Sequence, residues 1–114
     1  MRTGNTLTAR DGPSEADAPV LGSEIQKTRP AVIVSNNSCN AFGARVVVLP
    51  LTSNVDSLYP GEAIVTVKGK PSRALGDQIR LLDKSRLSSR IETLSQEELS
   101  AVEEAVRITL ALWP

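Results

Sequence analysis

Histidine is absent from this 114-residue chain, and Cys39 is its only cysteine. Without them there is no Ser-His-Asp or Cys-His nucleophile pair and no imidazole acid or base. A structural zinc site, which takes about four Cys or His ligands, is excluded as well. A lone cysteine closes no intramolecular disulfide. Aromatic residues are few, one each of Trp, Tyr and Phe, so Tyr59, Phe42 and Trp113 are first read as packing or dimer contacts and not as a stacking platform. Neither sign of charge dominates, with thirteen Lys and Arg against thirteen Asp and Glu. The whole molecule therefore has no net pull toward phosphate polymers or anionic membranes, and any such attraction must be local. No G-x-x-x-x-G-K-[ST] loop occurs and Gly61, Gly69 and Gly76 stand alone, which argues against nucleoside triphosphate hydrolysis. Asp56, Asp77 and Asp83 lack a metal-ligand spacing, so neither a metal nor a cofactor is expected. There is no run of about 20 apolar residues and no apolar segment after Met1, which leads to the expectation of a cytoplasmic protein without membrane span or leader.

What remains is an ordinary globular composition, 40% hydrophobic and 23% charged, expected to form one domain over residues 1–114. Residues 1–19 hold only Met1 and Leu7 as sizeable apolar side chains, and this atypical N-terminal segment reads as loosely ordered. The β-branched runs Ala31 to Ser35 and Arg45 to Leu51 predict buried strands, Glu62 to Val67 predicts a third, and Ala74 to Leu82, interrupted by Gly76 and Asp77, a fourth. Lys68-Gly69-Lys70-Pro71 supplies turn punctuation. Ser95-Gln-Glu-Glu98 is a capping box, with Leu94 and Leu99 at the spacing of a hydrophobic staple. The helix it starts carries Leu99, Val102, Val106, Leu110 and Trp113 along one face. A strand-rich body followed by one helix predicts a mainly β fold, a small barrel or sandwich with a helical lid.

Charge is segregated even though it sums to zero. Lys68 to Arg90 holds seven basic residues against Asp77 and Asp83, whereas Glu92 to Glu104 holds five acids. Solvated turns plus a helix N-terminus that favours acids account for this, and so does a polyanion-binding side. Two polar clusters border the apolar strands. Gly22-Ser-Glu-Ile-Gln-Lys-Thr-Arg-Pro30 puts Arg29 at the mouth of a strand, in the extended conformation that a following proline favours. Pro50-Leu-Thr-Ser-Asn54 follows another strand with small hydroxyl and amide groups, which also suit a turn.

Taken with Asp77-Gln-Ile-Arg80, these clusters resemble the MazF/PemK (Kid) toxins. G-S-E-x(4)-R-P and its apolar strand lie at 22–34, V-x-P-x-T-S at 48–53, Tyr-Pro at 59 and 60, and D-Q-I-R with L-D-K-x-R-L at 77–87. The resemblance implies an SH3-like small barrel of the MazF/CcdB type with a C-terminal helix, acting as a homodimer. It further implies metal-independent, sequence-specific cleavage of single-stranded RNA to 2′,3′-cyclic phosphate and 5′-hydroxyl ends. A cognate MazE-like antitoxin would inhibit it, and DNA would be met only through the antitoxin complex. By residue, the resemblance makes Arg29 and Thr52 catalytic and puts Glu24 at the motif's acidic position, as base or as the group that orients Arg29. Asp77 and Gln78 fall to recognition of RNA bases, with Ser53, Asn54, Leu58 and Tyr59 as further RNA contacts. The basic stretch from Lys68 to Arg90, with Lys68, Lys70 and Arg73 at its start, would receive an acidic antitoxin tail. The first strand departs from the family pattern: Gly4 to Pro13 keeps the Gly-to-Pro spacing, but Thr6 and Arg10 stand where apolar or acidic residues are usual. A non-nucleolytic toxin of the CcdB type that binds gyrase, or an inactive relative, is the alternative.

Overall fold

The computed structural model describes Arg2, residues 4–10 and residues 28–112. Its strongest apolar run, Val46 to Leu51, lies in β3 (Arg45–Thr52), at the centre of a curled antiparallel sheet. On one side β3 pairs with β2 (Thr28–Ile33), and on the other with β5 (Lys70–Leu75) and β6 (Arg80–Asp83). The sheet order is β4-β5-β3-β2-β1-β7, with β6 attached to β3; β1 is Asn5–Arg10, β4 Glu62–Val67 and β7 Leu87–Thr93. Both faces of β3 are covered, which is why its sequence is continuously apolar and does not alternate. Leu49 and Leu51 join Val32, Val65, Ala74 and Val102 in the larger core, while Val46 and Val48 join Leu7, Ala31 and Ile33 in a second core on the opposite face.

Helix α2 (Gln96–Leu110) closes the larger core. Its capping box is formed as expected, with Glu98 N–H donating to Ser95 Oγ and Ser95 N–H donating to Glu98 Oε1. Leu99, Val102 and Ala105 are buried, Val106 is half-buried, and Leu110 is 47% exposed. The buried stripe therefore ends earlier than the expected face that runs to Leu110, and Trp113 lies outside the described residues. The strand expected over Ala74 to Leu82 is two strands with different partners along β3, broken by a 3-10 turn at Gly76–Gln78. A short helix, α1 (Asn37–Phe42), follows β2 and is capped by the Asn36 side chain.

The N-terminal expectation needs correction where the chain is described. Asn5–Arg10 is a strand that pairs with both β2 and β7, while 11–19 lie outside the described residues. Thr6, which reads poorly as a barrel residue, is fully buried, and its hydroxyl donates to the Glu92 carbonyl at 2.7 Å and accepts from the Glu92 N–H at 3.1 Å. A register shift occurs there between β1 and β7. The hydroxyl completes backbone bonds that the irregular ladder leaves open, which an apolar residue cannot do.

The outer edge of β4 is met by carboxylates in place of a strand. Thr66 N–H donates to Glu98 Oε2 on α2, and Lys68 N–H donates to Glu92 Oε1 on β7 at 3.0 Å. These bonds bring the two ends of the sheet order together and cover an edge that would otherwise be open for pairing. Burial pushes the Glu98 carboxyl up, but hydrogen bonds from Thr66 and Ser95 outweigh it and hold the group below its ordinary value. A lowered carboxylate contributes stability that is fully present above its unfolded pKa and is lost as the pH falls through the folded value. Glu98→Gln keeps a capping-box side chain without the charge. It is expected to lower the melting temperature at neutral pH and to flatten its decline below about pH 5. A decline parallel to the parent's would show that Glu98 is not the titrating link.

Candidate functional site

The candidate residues lie on β2, on the end of β3 and the loop that follows it, and on the turn between β5 and β6. Along β2 and β3 the partners are Ile33 with Val48, Val32 with Leu49 and Ala31 with Pro50. The ladder ends at Ala31–Pro50, and Arg29 on β2 and Thr52 on β3 each lie two residues beyond that pair. Arg29 is exposed and Thr52 is half-buried. Across the other edge of β3, Thr52 pairs with Arg73 of β5. Between β5 and β6 the Gly76–Gln78 turn packs against β3, and it carries Asp77 and Gln78 with exposed side chains. Arg80 follows, paired with Val48, and its Nε donates to the Gln78 carbonyl at 3.4 Å.

β2 on one side and the continuous stretch from β5 through β6 on the other thus flank β3. Glu24 lies outside the described residues. The Thr52 hydroxyl accepts from the Asn54 N–H at 3.2 Å, and the Asn54 side chain accepts from the Asp56 N–H at 3.1 Å. With a lone pair engaged by the loop, the Thr52 proton is left to donate outward. Ser53 and Asn54 are exposed, as are Leu58 at 57% and Tyr59 at 61%.

One ion pair of this region escapes the sequence reading, which sets Arg73 on the basic surface and gives Glu62 no role. Arg73 and Glu62 form an ion pair (Nη1 to Oε1, 3.5 Å) whose side chains are only 14% and 9% exposed. Arg73 Nη1 also donates to the Ser57 carbonyl at 2.6 Å, while its Nε is buried without a hydrogen-bond partner. Arg73 is consequently not part of a solvated basic surface, which corrects its place beside Lys68 and Lys70, both exposed at the β4–β5 hairpin tip. The signal for the pair is in the turn. Lys68 and Gly69 both have positive φ, 50° and 76°, which suits a two-residue hairpin connection. Such a turn fixes the register that pairs Ile64 with Arg73 and so sets Glu62 diagonally from Arg73 on one face. Among the described residues, no three side chains of the Asp, Glu or Cys type group as a metal site, and no helix is long and apolar enough to cross a membrane.

Comparison with known proteins adds an independent line. A family model described as the PemK-like, MazF-like toxin of type II toxin-antitoxin systems matches residues 15–110. Endoribonuclease MazF9 of Mycobacterium tuberculosis (strain ATCC 25618 / H37Rv) is 36% identical over 104 residues, covering 83% of this chain and 88% of that protein. Endoribonuclease EndoA of Bacillus subtilis (strain 168) is 33% identical over 100 residues, covering 83% and 86%. The fold matches that of a MazE-MazF crystal structure from Deinococcus radiodurans with a TM-score of 0.76, at 24% identity over 99% of this chain and 97% of that one. It also matches a mycobacterial endoribonuclease in complex with its cognate antitoxin, with a TM-score of 0.75 at 22% identity over 100% and 99%.

Proposed function

The chain belongs to the PemK-like, MazF-like toxin family of type II toxin-antitoxin systems and is an endoribonuclease; we propose that it cuts single-stranded RNA at a short sequence, without a metal, by attack of a ribose 2′-hydroxyl. The 2′-hydroxyl gives up its proton as its oxygen bonds to the adjacent phosphorus, the bond to the 5′-oxygen breaks, and that oxygen takes up a proton from water. The products are a 2′,3′-cyclic phosphate and a 5′-hydroxyl. Negative charge grows on the phosphorane oxygens during this step, and electrostatic stabilisation there supplies most of the acceleration available to a site without imidazole. The observation that supports the reading is the β2–β3 ladder, which ends at Ala31–Pro50 with Arg29 two residues beyond that pair on β2 and Thr52 two residues beyond it on β3.

Arg29 offers a planar fork of donors to two phosphate oxygens. With a pKa above about 12 a guanidinium is a poor proton carrier, so its role is electrostatic. Thr52 donates a hydrogen bond to a phosphate oxygen. Glu24 takes the 2′-hydroxyl proton or orients Arg29, and Glu24→Gln separates these by the size of the rate loss, since an amide oxygen can still hold a guanidinium but cannot take a proton. Asp77 and Gln78 read base edges, with Ser53, Asn54, Leu58 and Tyr59 as further contacts to unpaired RNA. The protein acts as a homodimer held in check by a cognate antitoxin, whose acidic tail meets Lys68, Lys70 and the exposed basic residues toward Arg90.

The test is incubation of the protein with a long, sequence-diverse single-stranded RNA in excess EDTA, with the cut positions and terminal phosphates mapped. Cuts at a shared short sequence bearing cyclic phosphate, absent with Arg29→Ala, are expected. No cutting by folded protein would favour a toxin that binds gyrase or an inactive relative.

A further inference from the structure

The Arg73–Glu62 pair does more than tie β5 to β4. Arg73 holds the Ser57 carbonyl, and Glu62 Oε1 accepts from the Tyr59 N–H at 3.0 Å. Tyr59 in turn accepts through its carbonyl from the Glu62 N–H at 3.1 Å. The backbone is thus gripped on both sides of Leu58 while Leu58 and Tyr59 keep their side chains in solvent, 57% and 61% exposed. A loop that merely packed on its sheet would turn two such residues inward, since burying them is favourable. Here the backbone is anchored by nearly buried charge and the apolar groups are presented.

The anchor is also tied to the reaction centre. Arg73 is the cross-strand partner of Thr52, so the strand position that holds this loop adjoins the hydroxyl proposed to touch phosphate. The loop leaves β3 directly after Thr52 and rejoins the sheet at Glu62.

We propose that Arg73 is a positioning residue for RNA selection, acting with Glu62 to fix the backbone at Ser57 and Tyr59 so that Leu58 and Tyr59 offer a preset apolar surface to unpaired bases. This role rests on the RNA-cleavage reading above. Preset contacts lower the ordering cost of binding, and stacking on an aromatic ring is available to every base. Loss of the anchor therefore weakens RNA binding and loosens the choice of cut position, leaving the chemistry at Arg29 and Thr52 in place.

The experiment compares full-length wild type, Arg73→Met, Arg73→Lys, Glu62→Gln, Tyr59→Ala and Arg73→Met/Tyr59→Ala, using a diverse RNA for cut mapping and one oligonucleotide containing a mapped site for kinetics. Arg73→Met is expected to raise KM about tenfold and widen the set of cut positions, with kcat changing less than about threefold. Arg73→Lys, which keeps charge but not the fork, and Glu62→Gln fall between the two and serve if Arg73→Met fails to fold. Because Arg73 acts through the loop, the double variant loses less in KM than the product of the two single losses. Hydrogen exchange of the amides from Asn54 to Gly61 speeds up in Arg73→Met while that of α2 does not. A lower melting temperature with unchanged KM and cut positions, or full additivity with Tyr59→Ala, would overturn the positioning role alone. A wild type that cuts no RNA would overturn the cleavage reading and the role together, and that is visible before any variant is compared.

Discussion

Replacing Arg29 by alanine is expected to slow RNA cleavage by about 10²–10³-fold, the cost of removing one charge-stabilising donor from a preorganised site. Arg29 is exposed at the end of β2, and a polar contact at an exposed position contributes about 1 kcal/mol or less. The loss should therefore appear in protein that remains folded and melts cooperatively. Thr52 gives a second handle on the same oxygen cluster. Its hydroxyl already accepts from the Asn54 N–H, so the proton is the part available to substrate. Thr52→Ser should keep most of the rate, whereas Thr52→Val, of nearly the same shape, should lose about as much as Thr52→Ala. Arg29→Lys keeps the charge and loses the bidentate fork, and should fall between wild type and alanine. Two groups that act on one phosphate are not additive, so Arg29→Ala/Thr52→Ala should lose less than the product of the single losses. Single-turnover cleavage of an RNA with a mapped site measures all of these. Full activity of folded Thr52→Ala would remove Thr52 from the site.

How much of this was legible in the sequence differs by element, for physical reasons. Glu62–Val67 appears where expected because the apolar alternation and flanking glycines act locally, and α2 starts where expected because a capping box is a contact within one turn. β1 was not legible. Its usefulness depends on the Thr6 hydroxyl meeting the Glu92 backbone, 86 residues away, and no local propensity encodes that. The helix face was extended too far because Leu110 has the right spacing but the sheet beneath it has ended, leaving it 47% exposed. At the site, Arg29, Thr52, Asp77 and Gln78 are singled out by motif resemblance, while strand pairing sets β2 beside β3 and packs the Gly76–Gln78 turn against β3. Arg73 and Glu62 were missed because charge on a strand reads as solvated until the hairpin register and the covering loop are known. Glu24 lies outside the described residues.

Gly76→Ala is expected to have the largest effect on stability, about 3 kcal/mol, through overpacking that no side-chain movement relieves. A β-carbon at Gly76 would stand 2.1 Å from the Gly61 carbonyl oxygen and 2.7 Å from Thr109 Oγ1. The nearer obstacle is backbone, held in place because the Gly76 N–H donates to that same oxygen at 3.0 Å. Either the loop end at Gly61 or the turn at Gly76–Gln78 must shift, and either shift disturbs the packing against α2. The melting temperature should fall by roughly 10–20 °C. Gly69→Ala serves as the contrast. Gly69 has positive φ but nothing within 4 Å of its missing β-carbon, so only conformational strain is added, worth about 1 kcal/mol. Removing the Thr109 hydroxyl should not rescue Gly76→Ala, since the carbonyl clash remains. The consequence reaches the site, because Asp77 and Gln78 ride on the displaced turn and Glu62 follows the displaced Gly61. Below its lowered melting point the variant should still cut RNA poorly and with altered sequence choice. A melting temperature within about 2 °C of wild type, well under the shift that 1 kcal/mol produces, would show that this junction yields more easily than its contacts imply.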